Sequence, residues 1–147
     1  MKHVYLLKYI MCFFLLIGLC SISNSLKAQC TTDSALATAY NSNNGQRGTM
    51  FNIIALDSVS IKCFSMNLYA GTTGRYIIFY KNGPFQGFET NTGAWTLIDT
   101  ANNLTSAGNN LETHIPINFN VDIAAGDTAG FYITNDFGAG VSYTDGT

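Results

Sequence analysis

The stretch Ile115-Pro116-Ile117-Asn118-Phe119-Asn120-Val121-Asp122-Ile123 decides the fold class. Apolar side chains occupy every odd position and Pro, Asn or Asp every even one, the period of two that turns one strand face to a core and the other to water. A helix would need the apolar set to return with a period of 3.6, and here it does not. His114 falls by the same alternation on the wet face, which makes it a solvent-facing strand residue.

Outward from that run the same signals repeat. Downstream, Ala125-Gly126-Asp127 turns the chain, Phe131-Tyr132-Ile133-Thr134 reads as a strand and Val141-Ser142-Tyr143 opens another. Upstream, Trp95-Thr96-Leu97-Ile98 is a strand stopped by Asp99. Residues 75–81 place Tyr76, Ile78 and Tyr80 on one face and Ile77 and Phe79 on the other, so this strand is central, and Asn82-Gly83-Pro84 ends it as a tight turn. Met50-Phe51-Asn52-Ile53-Ile54-Ala55-Leu56 reads as a buried strand. Val59, Ile61 and Cys63 alternate with polar residues, but the apolar set continues as Phe64, Met66 and Leu68. That flip of parity is the mark of a β-bulge in a bent strand. Residues 31–48 are polar and loop-like apart from Ala37-Thr38-Ala39-Tyr40, a short edge strand. Short strands with turns between them and no helix of useful length predict an all-β antiparallel sandwich, jelly-roll-like, over residues 49–147, preceded by an arm with an edge strand over 29–48. The Asp145-Gly146 hairpin signal lacks a return strand, so the domain is expected to be incomplete at its C-terminus.

The chain has 147 residues and begins with a different kind of segment. Lys2 and Lys8 precede a twelve-residue apolar core, residues 9–20, and a polar stretch reaches Lys27. This is the order of a secretory signal, read as residues 1–28 with a cut after Ala28. The alternatives are an uncleaved anchor, for which the core is short against the usual span of about 20 residues, and lipidation of Cys30, which Gln29 before it disfavours. Removing 28 of 147 residues leaves 119, with four basic and nine acidic side chains and a formal charge of −5. Nucleic-acid binding and a basic membrane-surface role are excluded on that balance, because both need clustered Lys and Arg. The expected destination is secretion or the cell surface, with no membrane contact after cleavage.

Cys30 and Cys63 are the cysteines left after cleavage, in a compartment that permits disulfides. They are read as a disulfide or as two reduced buried thiols; a bridge would close a loop of about 33 residues, worth about 3.7 kcal/mol in the chain-entropy model. With His114 they make too few ligands for a structural zinc. No cofactor is implied. Structural calcium is a weaker reading of Asp57, Asp99, Asp127 and Asp136 at strand ends, where turn-forming Asp explains the same positions.

Catalytic chemistry has little to stand on. There is no nucleophile elbow, phosphate loop or paired-histidine motif, and Glu89 with Asp99 or Glu112 has no spacing that favours a carboxylate pair. Binding has more. Phe85, Phe88 and Trp95 flank the Gly-rich stretch 83–93, and aromatic rings beside amides suit sugars, whose C–H faces stack while amides reach hydroxyls. The competing reading has Trp95 plugging the core and Phe88 tacking the loop down.

Asn44-Gly45-Gln46-Arg47-Gly48-Thr49-Met50-Phe51, Gly87-Phe88-Glu89-Thr90-Asn91 with Ala94-Trp95-Thr96-Leu97, and the segment Ala125-Gly126-Asp127-Thr128-Ala129-Gly130-Phe131-Tyr132-Ile133-Thr134-Asn135 together resemble a β-sandwich module near the N-terminus of large secreted bacterial proteins. Such proteins are similar to cargo of the type IX secretion system. The resemblance covers residues 44–147 and carries no catalytic residues. It also implies O-glycosylation at Asp-Ser/Thr-apolar triplets, which here place acceptors at Ser34, Ser58, Thr100 and Thr128; the same dipeptides also start turns. The expected function is an exported, non-catalytic module of a larger surface or secreted protein, for adhesion or binding of an extracellular polysaccharide or surface glycan. The alternative is a carbohydrate-binding accessory module of a secreted hydrolase whose catalytic domain lies outside this chain.

Overall fold

The computed structural model describes residues 35–42 and 44–143. Ten strands follow one another: β1 (Asn44–Gln46), β2 (Gly48–Ile54), β3 (Val59–Ile61), β4 (Ser65–Asn67), β5 (Thr73–Asn82), β6 (Thr96–Thr105), β7 (Glu112–His114), β8 (Val121–Ile123), β9 (Thr128–Asn135) and β10 (Val141–Tyr143). The one helical turn among the described residues is a 3-10 turn at Thr92–Ala94. The fold is all-β and antiparallel in every strand ladder.

One layer is a four-stranded sheet in the order β2-β9-β5-β6. The long β5 is central, as its two apolar faces require, and β2 is an edge strand whose side chains are half-buried or exposed, in place of the buried strand expected at residues 50–56. The second layer is a chain of two-stranded ladders, β1-β10, β4-β7 and β3-β8, in place of a second four-stranded sheet. The side chains between the layers form the core. Ile78, Ala101 and Ile133 of the first layer meet Ile115 and Ile117 of the second, and Ala129 and Phe131 meet Val121 and Ile123. Phe64 joins both groups, its ring 5.0 Å from that of Phe131 and edge-on to it. At one end Leu68, Tyr76 and Val141 close the core, and the Tyr76 hydroxyl donates to the Gly140 carbonyl at 3.1 Å.

Three expectations need correction. The alternation at 115–123 governs burial throughout, with odd positions buried or half-buried and even ones exposed, yet the segment is not one strand. Residues 62–64 lie opposite residues 115–120, three against six, between the β3-β8 and β4-β7 registers. Pro116 has no N–H for a ladder, and the Ile117 N–H turns back to the Ile115 carbonyl at 2.7 Å. The parity flip at Cys63 and Phe64 is the other side of this irregularity. Second, Asp99 does not stop a strand. β6 continues to Thr105, because at a sheet edge polar side chains reach water and the extra residue at Ile98 is absorbed as a bulge between the Asp99 and Leu97 pairings. Third, Ala37-Thr38-Ala39-Tyr40 forms no strand. The main chain there is held instead by Asn110, whose side-chain oxygen accepts from both the N–H and the hydroxyl of Ser42. The signal segment, Cys30, Ser34 and the Asp145-Gly146 turn lie outside the described residues.

Candidate functional site

On the outer face of the four-stranded sheet, away from the core, an apolar row crosses all four strands next to a polar row that contains Asn52 and Lys81. Directly opposed residues in an antiparallel ladder share a face. Met50 opposes Tyr132, Tyr132 opposes Phe79, and Phe79 opposes Leu97, which gives one row of large side chains across all four strands. At the usual strand spacing the row spans about 14 Å. The Phe79 and Tyr132 rings lie 5.9 Å apart with planes 20° from parallel, and Trp95 sits 6.0 Å from Tyr132. Met50, Tyr132, Phe79 and Trp95 are half-buried, and Leu97 is exposed.

Beside this row the segment 83–95 is folded down on the sheet. Gly130 makes that approach possible: a Cβ there would stand 3.2 Å from both the Gly83 carbonyl oxygen and the Phe85 nitrogen. Asn52, the neighbour of Gly130 on β2, accepts the Phe85 N–H at 3.0 Å and donates to the Gln86 side chain at 2.9 Å. Lys81, on β5 in the same row, is only 7% exposed. Its ammonium donates to the carbonyls of Asn82 and Pro84, each at 2.7 Å, and lies 4.3 Å from the centre of the Phe88 ring. A buried cation is tolerable because those carbonyls and the ring face replace its water. The Trp95 indole N–H donates to the Phe88 carbonyl at 2.9 Å and closes the far side of the loop.

Of the residues singled out in the sequence, Phe88 and Trp95 are therefore joined, and Phe85 is anchored beside them through its main chain. Trp95 does not plug the core; it stands on the outer face, half-buried against Tyr132. The sequence reading missed Tyr132, Phe79, Lys81 and Asn52. Its one available signal was the second apolar face of the central strand, Ile77 and Phe79.

The remaining candidates are dispersed. Cys63 is half-buried beyond β3 and Cys30 lies outside the described residues. His114 is half-buried on β7 opposite Ser65, between the buried Thr113 and Ile115. Ser58 is exposed in the turn before β3, with its hydroxyl accepting the Ala125 N–H, whereas Thr100 and Thr128 are half-buried on β6 and β9. Among the aspartates read for calcium, Asp136 pairs with Arg75 at 2.9 Å and Asp99 accepts the Thr100 N–H at 2.7 Å. Among the described residues no group of three or more His, Cys, Asp or Glu could hold a metal ion. No family model, curated protein or solved structure matches the chain.

Proposed function

We propose that this chain is an exported, non-catalytic module of a larger cell-surface or secreted protein, and that it binds glycan on the outer face of its four-stranded sheet. The observation that carries the reading is the row of Met50, Tyr132, Phe79 and Leu97 with Trp95 beside it: a continuous apolar row across all four strands, on the face away from the core, with the Phe79 and Tyr132 rings stacked. Rings take the C–H faces of sugars, and the amides of Gln86 and Asn91, both exposed on the adjoining loop, reach hydroxyls. The loop is tied at several points, so little ordering is lost on binding. Export rests on the signal-like residues 1–28, and the resemblance to modules of type IX cargo supports a place in a larger protein.

The test is affinity electrophoresis of the exported protein through gels containing polysaccharides, with Tyr132→Ala as control. Retardation of the wild type and its loss in the variant are expected; wild-type mobility unchanged in every glycan overturns the reading. The mass of the same exported protein reports cleavage near Gln29, and resistance of Cys63 to alkylation before reduction reports the Cys30–Cys63 bridge.

A further inference from the structure

A groove of about 420 Å³ opens beside the loop, at the end of the sandwich where β5 finishes and the turn between β8 and β9 begins. It shares Gly83 and Pro84 with the loop that borders the aromatic row, so Pro84 stands between the two surfaces. Tyr80 and Asn82 line one wall, the Tyr80 hydroxyl donating to the Asn82 side-chain oxygen, and Asp122, Asp127 and Thr128 line the other. Its size is that of a small-ligand site.

The chemistry of the walls is one-sided. They offer a phenol ring, an amide, a hydroxyl and two carboxylates, and among the described residues no basic side chain lines the groove. Two cations stand behind the walls: Lys81 is held by the carbonyls of the lining residues Asn82 and Pro84, and Lys62, whose charge also acts on Asp122, holds the Asn120 side chain. Asp122 is fixed by the hydroxyl that Ser60 donates to it, and that bond, with one from Asn120, keeps its carboxyl charged well below neutral pH. Such walls accept hydrogen bonds from hydroxyl groups and repel anions.

We infer that the groove is a subsite for a neutral, hydroxyl-rich sugar residue of the glycan held on the aromatic row, and that Asp122 and Asp127 exclude uronic acids from it. The inference rests on the glycan-binding reading above and adds the class of glycan. A hydroxyl donating to a carboxylate makes a charge-assisted bond, whereas a uronate there would face two like charges at the mouth of the groove.

The experiment measures retardation of the full exported chain in gels of neutral polysaccharides (hydroxyethylcellulose, galactomannan, xylan) and of anionic ones (polygalacturonate, alginate). The wild type, Tyr132→Ala and the double variant Asp122→Asn with Asp127→Asn are compared. Asn keeps the shape of Asp, and both sites lie at the surface, so the double variant tests charge without emptying a core position. The wild type is expected to prefer its best neutral glycan over either anionic one by at least about tenfold, and the double variant to lose most of that preference. Wild-type retardation that Tyr132→Ala abolishes but the double variant leaves unchanged overturns the groove and spares the aromatic row. Preference for an anionic glycan overturns the inference alone, and no retardation of the wild type in any gel overturns both.

Discussion

The Lys81 ammonium lies 4.3 Å from the centre of the Phe88 ring while it holds the carbonyls of Asn82 and Pro84. One buried charge thus fastens the start of the loop to its middle. Lys81→Met keeps the length and apolar stem of the side chain but leaves two carbonyls without their donor. Stability should fall by about 1–3 kcal/mol, the cost of orphaned buried polar groups. Because Trp95 is tied to Phe88, its fluorescence should shift toward that of exposed indole. Chemical denaturation and emission spectra check both; an unchanged spectrum would mean that Lys81 does not hold the loop.

Gly130→Ala probes the same seat from below. The new methyl would press on the Gly83 oxygen and Phe85 nitrogen at 3.2 Å, and on Lys81 Cγ at 3.1 Å. A mobile loop would give way at little cost, but this one is held by Asn52, Lys81 and Trp95. The substitution should therefore destabilise by about 1–3 kcal/mol, as overpacking does. A stabilised Gly130→Ala protein, gaining strand propensity without strain, would show that the loop is loosely seated.

These residues also show where the sequence stops being informative. Periodicity told which side chains of 115–123 share a face, and burial follows it residue by residue, but not that Pro116 and the inward-turned Ile117 N–H would break the ladder. Phe85, Phe88 and Trp95 were visible as residue types on one stretch of chain. Tyr132 and Phe79 were not visible as partners, because they meet only once β9 is placed between β2 and β5, a long-range fact of topology. Lys81 was hidden for another reason: alternation puts a lysine on an outer face, and nothing local says that a loop then folds over it.

The acid limb of stability should depend on Asp122. Its carboxyl is held below the ordinary value of 3.8, first by the Ser60 hydroxyl, then by Asn120 and the nearby Lys62. A group whose pKa is depressed in the folded state contributes stability above its unfolded pKa and loses it as the pH falls through the folded value. Ser60→Ala should raise the folded pKa toward the ordinary one and shrink that contribution, with no change in the slope of stability on the alkaline side. Melting temperatures of wild type, Ser60→Ala and Asp122→Asn from neutral pH down through the carboxylate range measure this. A wild-type acid limb identical to that of Asp122→Asn would remove Asp122 from the account.

Trp95 separates packing from binding most sharply. A tryptophan in the core costs about 3–5 kcal/mol on truncation to alanine, enough to unfold a domain holding only about 5–15. Trp95 is instead half-buried on the outer face, with one hydrogen bond to Phe88 and a tilted contact to Tyr132. Trp95→Ala should then cost about 1–2 kcal/mol, lowering the melting temperature by about 4 °C for each kcal/mol, and the domain should stay folded. Trp95→Phe keeps a ring but loses the indole N–H, so it should recover part of any glycan affinity and little of the loop's fluorescence-independent rigidity, measured by proteolysis within 83–95. If the row binds glycan, Trp95→Ala should weaken it by about tenfold, the worth of one good stacking contact, at a temperature where the variant is still folded. Equal glycan retention by wild type and folded Trp95→Ala would take Trp95 out of the binding face and leave it a fastening of the loop.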